Sequence, residues 1–115
     1  MSEYMILIYD AEQPYRDYTA QQWGAVFAAH QRFAAQVGEY GGKLLGGKAI
    51  EPTATAVSFR GEQASDGPFV TTPLAVCGYY LIEAADLDTA KAIAQLCPAK
   101  FGGVELRPVR PTPVG

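Results

Sequence analysis

His30 is the only histidine in a chain of 115 residues, so imidazole chemistry near neutrality falls on it alone. It stands four residues after Val26, three after Phe27 and three before Phe33, on an apolar stripe. Two readings of that position stand side by side. In one, His30 is a core-edge residue whose ring nitrogens are satisfied by backbone or water. In the other it is a proton carrier, whose charged form a nearby carboxylate would stabilise. Asp66 is the carboxylate to pair with it. It opens the run Asp66-Gly67-Pro68-Phe69, which is turn chemistry: the Asp side chain caps its turn, Gly takes an unusual dihedral and Pro fixes the exit. A rigid turn also holds one carboxylate over a cleft at fixed geometry. If Asp66 accepts a hydrogen bond from His30, the ring is oriented to act as a general acid or base.

Other chemistry is thinly represented. Tyr9, Tyr79 and Tyr80 suit a pocket wall as well as a core. Cys77 has no base near it in sequence, and Cys77 and Cys97 form no metal-type spacing, so both read as thiols rather than a disulfide. Gly46-Gly47 and Gly102-Gly103 do not make a phosphate-binding pattern. A lone histidine with scattered carboxylates builds no metal site. No metal and no cofactor is expected.

These residues need elements to position them. Tyr4–Tyr9 is a short apolar run closed by Asp10 and reads as a strand buried on both faces. Thr19 with Gln22 three residues on is a capping box, and it opens a helix of about twenty residues. Trp23, Val26, Phe27, His30, Phe33, Ala34 and Val37 form its inward stripe, and Gly41-Gly42 ends it. Lys43–Ile50 reads as a strand with a bulge at its glycine pair, and Thr53–Arg60 as a second, more polar strand. Residues 61–73 read as a loop. Val76–Glu83 is again apolar on both faces. A second helix follows, capped by Asp86 or Asp88 and stopping before Pro98. Val104–Val109 is a last strand, ending in a proline-rich tail at 111–115.

The order predicts one α+β domain over residues 1–115: split βαβ units with an added hairpin strand, an antiparallel sheet and both helices on one face. That leaves a bare sheet face. Since Met5, Leu7 and Tyr9 alternate with Tyr4, Ile6 and Ile8, this face is apolar, and a second copy packed on it is the natural cover. The expected partner is therefore the chain itself, as a homodimer.

Composition limits the remaining classes. The apolar fraction is 49%, the charged fraction 18% and the net charge −3. With no Lys/Arg cluster, the chain lacks the footprint that nucleic-acid binding needs. No apolar stretch nears the roughly 20 residues of a membrane-spanning helix, and the start lacks a signal peptide's basic region, so the expected location is cytoplasmic.

Three segments carry a family resemblance: Asp66-Gly67-Pro68-Phe69, Gly78-Tyr79-Tyr80-Leu81-Ile82-Glu83, and Cys97-Pro98-Ala99 followed by Gly103–Val109. Together with Tyr4–Tyr9 and Ala28–Phe33, they resemble the YCII-related proteins that carry a DGPF motif. The resemblance implies a ferredoxin-like, dimeric α+β barrel. It also implies a His–Asp pair, here His30 and Asp66, beside a cleft in which Gly67, Pro68, Phe69 and Tyr9 are candidate binding residues; the family's reaction is generally unassigned. One departure stands out. Where family members usually run on with Thr, Glu and Lys, this chain has Val70-Thr71-Thr72-Pro73-Leu74-Ala75, without carboxylate or ammonium. Two functions follow as expectations: an acid–base enzyme on a small polar molecule, or a non-catalytic small-molecule-binding or accessory module.

Overall fold

Alternation in the opening segment sets the architecture. β1 (Ser2–Asp10) buries Tyr4, Ile6, Ile8 and Asp10 on one face and leaves Met5, Leu7 and Tyr9 half-buried on the other. The computed structural model describes residues 1–112; positions 113–115 of the proline-rich tail lie outside them. β1 lies between β5 (Ala75–Ala84) and β6 (Gly103–Pro108), and β2 (Lys43–Ala49) pairs with the far side of β5. All three pairings are antiparallel, giving the order β2-β5-β1-β6. With α1 (Ala20–Glu39) between β1 and β2, and α2 (Leu87–Ala94) between β5 and β6, this is the ferredoxin-like α+β arrangement. One chain makes an open sheet, not a closed barrel.

The helix signals act as expected. Thr19 Oγ1 accepts from Gln22 N and the Gln22 side chain accepts from Thr19 N, closing the capping box. At the other end Gly42 N returns to Val37 O. Of the two candidates for capping α2, Asp86 does so, accepting from Thr89 N at 2.8 Å. Both helices cover the same sheet face: Phe33 and Val37 from α1 and Ala90, Ile93 and Ala94 from α2 join Ile6, Ile8 and Ile82 in one buried cluster.

Three sequence expectations need correction. The stripe of α1 is only half used: Phe33 and Val37 are buried, but Trp23 is 37% and Phe27 61% exposed, because the helix's N-terminal half has little sheet beneath it. Thr53–Arg60 is not one strand, since Thr53–Thr55 forms a 3-10 turn and β3 covers only Val57–Arg60. Residues 61–73 are not all loop either: β4 (Gln63–Asp66) pairs antiparallel with β3. The hairpin does not join the main sheet. It stands as a separate two-stranded ribbon over which no element of its own chain packs closely.

The principal dimensions are 41 × 41 × 19 Å. A thickness of 19 Å holds one sheet and one helical layer, since packed layers lie about 10 Å apart. The second sheet face is uncovered, and no described helix is long and apolar enough to cross a membrane.

Candidate functional site

His30 projects from the middle of α1 toward the core face of β5. Alternation along β5 sends Tyr80, with Ile82 and Ala84, to that face, and Tyr80 Oη lies 2.8 Å from His30 Nδ1. The rings sit 5.9 Å apart, and Phe33 packs against Tyr80 at 4.9 Å. Burial lowers the pKa of His30, and no charged side chain of α1, β5 or α2 contributes to that shift. Burial first, and then the neighbouring Cys97, raise that of Tyr80. The pair is therefore a neutral imidazole against a protonated phenol near neutrality, which can share one mobile proton. Among the described residues Nε2 of His30 has no hydrogen-bond partner.

Asp66 lies elsewhere, at the end of β4 on the projecting ribbon, and is exposed. No hydrogen bond or ion pair joins it to His30 among the described residues. The turn after it is built differently from the expectation. Gly67 takes φ +102°, as the Asp-Gly pattern suggested, but the carboxylate does not cap the turn. Gly67 N instead donates to Ala56 O at 2.8 Å, and Ser58 Oγ donates to Gly67 O at 2.7 Å. Phe69 is exposed with the Arg60 guanidinium 4.1 Å over its ring.

Tyr9 and Pro68 line a common groove. It is open, about 690 Å³ in volume, and lies at the end of the sheet, with Ile50, Thr53, Thr71 and Val76 among its walls. Its lining is mainly apolar with threonine residues and one acidic residue, Glu51, and no Lys or Arg lines it. The departure at 70–75 shows here, since Val70, Thr71, Thr72 and Ala75 supply wall without charge.

Asp10 is the polar residue that sequence reasoning missed. It is 5% exposed, and its carboxylate accepts from Tyr15 Oη at 2.6 Å, Phe101 N at 2.9 Å and Ala11 N at 2.9 Å. Strand alternation was the available signal: Asp10 is an even position in register with buried Ile6 and Ile8. Glu12 beside it accepts from Thr53 N at 2.7 Å and from Thr53 Oγ1 at 2.5 Å, holding one wall of the groove; those bonds lower its pKa. Cys77 is half-buried, and burial followed by the charge of Asp10 raises its thiol pKa, which opposes a nucleophilic role. Burial pushes the Cys97 thiol up to about 12. No group of three metal-ligating side chains forms among the described residues.

Residues 2–113 match the profile of the YCII-related domain. The chain belongs to the YCII-related family. Among curated proteins none matches it. Family membership fits the ferredoxin-like frame and the small size of this YCII-related chain, and it names no reaction.

Proposed function

We propose that this YCII-related protein is an acid–base enzyme acting on a small polar molecule, with proton transfer at the His30–Tyr80 pair. The 2.8 Å contact between Nδ1 and the phenolic oxygen supports this reading most directly. With Nδ1 unprotonated, Tyr80 donates to it. As a base, the pair takes a substrate proton onto Tyr80 Oη while the phenolic proton passes to Nδ1. As an acid, it runs the same steps backwards. Asp66 is the expected third member, accepting from Nε2–H and fixing that tautomer. The working unit in this reading is a homodimer through the open sheet face, where Met5, Leu7, Tyr9, Tyr79 and Leu81 lie together.

The assay is proton exchange into a panel of small oxo- and hydroxy-compounds in D2O, followed by NMR. The expected rate rises with pH through one ionisation and drops at least about 100-fold in His30→Gln and in Tyr80→Phe, with the fold intact. No exchange by the wild-type chain, or equal exchange by Tyr80→Phe, rejects the proposal. A second reading, a non-catalytic binding module, is favoured by the groove between Tyr9 and Pro68. It expects ligands to perturb Tyr9 resonances without any exchange.

A further inference from the structure

The β3–β4 ribbon has two unlike faces. Cross-strand partners share a face, so the pairs Val57↔Asp66 and Phe59↔Ala64 put Val57, Phe59, Ala64 and Asp66 on one side. The pairs Ser58↔Ser65 and Arg60↔Gln63 make the other side polar. Val57 is 55% and Phe59 61% exposed. A lone two-stranded ribbon is marginal in water, and this one is apolar on a face that its own chain leaves bare. A carboxylate on that face also requires a hydrogen-bond donor from whatever covers it.

The N-terminal half of α1 offers the complement. Trp23, Phe27 and His30 are spaced at four and three residues and so share one helix face. Trp23 and Phe27 stack at 6.0 Å; Phe27 is exposed, Trp23 keeps an outer edge free while Tyr15 stacks on it, and among the described residues His30 ends the row with Nε2 unpartnered. The spacings agree. Two residues of strand place Phe59 about 6.8 Å from the Val57–Asp66 row. At about 1.5 Å of rise per residue, a ring lying between Trp23 and Phe27 is about 7.5 Å from His30. Phe59 therefore lies level with the outer edges of the stacked Trp23 and Phe27 rings when Asp66 falls on the imidazole.

Within one chain these surfaces are not joined. We infer that the ribbon docks on α1 of a second copy of this chain, with Phe59 against Trp23 and Phe27, and Asp66 accepting from His30 Nε2–H of that copy. The exchange is reciprocal, because a two-fold pair presents ribbon to helix twice. Asp66 acts as a positioning residue: it holds the proton on Nε2 and leaves Nδ1 to take the proton of Tyr80. This inference rests on the acid–base reading of His30 and Tyr80 and adds that the site is complete only between copies.

Trp23 is the sole tryptophan, so its emission reports the docked face. In the full-length protein, Phe59→Lys is expected to red-shift Trp23 emission and to move the His30 titration, followed by NMR, to lower pH. Asp66→Asn is expected to move that titration the same way while leaving Trp23 emission little changed. A ribbon that is merely structural would leave the imidazole titration alone. Unchanged Trp23 emission and His30 titration in Phe59→Lys would overturn the docking. Cross-linking decides between copies, in a Cys77→Ser background. A Phe27→Cys chain mixed with a Phe59→Cys chain should give a disulfide-linked pair, whereas an internal disulfide in the dilute double variant would overturn the exchange. Docking that passes these tests while Tyr80→Phe still exchanges protons would instead reject the acid–base reading.

Discussion

At the scale of single residues, His30 is set by what its ring touches. Its environment is half-buried and contains no charge from its own chain, so the neutral form is favoured. The consequence for stability has a definite sign. In a chain whose ribbon is undocked (Phe59→Lys), the folded-state pKa lies below the ordinary 6.5. As pH falls below 6.5, the unfolded chain takes up a proton on His30 before the folded chain does. Stability therefore declines from that point and levels once the lowered pKa is passed. Thermal unfolding followed against pH in Phe59→Lys should show this step, and adding His30→Gln should flatten it. A step that survives His30→Gln would assign it to another group.

At the scale of elements, Asp10 does the joining. Its carboxylate ties the end of β1 to a 3-10 turn at Gln13–Tyr15 through Tyr15 and to the approach of β6 through Phe101 N. The same join is tight in the backbone, since a Cβ on Gly102 would lie 2.1 Å from Tyr9 O. Removing the carboxylate leaves a partly buried phenol and the peptide N–H groups of Ala11 and Phe101 without their acceptor. Asp10→Ala should cost about 2–3 kcal/mol by urea denaturation, with Asp10→Asn costing less. A loss below about 0.5 kcal/mol would show that the three donors find other partners. The 3-10 turn leads into α1, so loosening it also loosens Trp23, which stacks on Tyr15 at 5.5 Å.

At the scale of the whole molecule, one face of a thin plate decides the rest. Met5, Leu7 and Tyr9 of β1 stand beside Leu81 and Tyr79 of β5, with Glu105 and Arg107 of β6 toward one edge and Lys48 of β2 toward the other. An apolar centre with charged borders suits packing against a second copy. Leu7→Glu puts a carboxylate at that centre and should shift the chain toward monomer in sedimentation velocity. An unchanged sedimentation coefficient, in protein shown to be dimeric before substitution, would place the interface elsewhere.

What the sequence determined by itself was local. Period-two alternation in β1 and β5, the Thr19–Gln22 box, the glycine stop after α1 and an Asp86 or Asp88 cap for α2 depend on residues within a few positions of one another, and they gave the α+β order. The Asp-Gly pattern likewise announced the positive φ at Gly67. Tertiary structure decided what depends on distant partners. Helical periodicity marked a stripe from Trp23 to Val37 but not where burial against the sheet stops, leaving Phe27 and an edge of Trp23 exposed. Nor could spacing along the chain disclose that His30 meets Tyr80, fifty residues away, while Asp66 rides on a separate ribbon. The short polar segment 63–66 became a strand only because Val57–Arg60 was there to pair with it. Pairing partners, burial and side-chain contacts are properties of the closed chain, and they are what make this site.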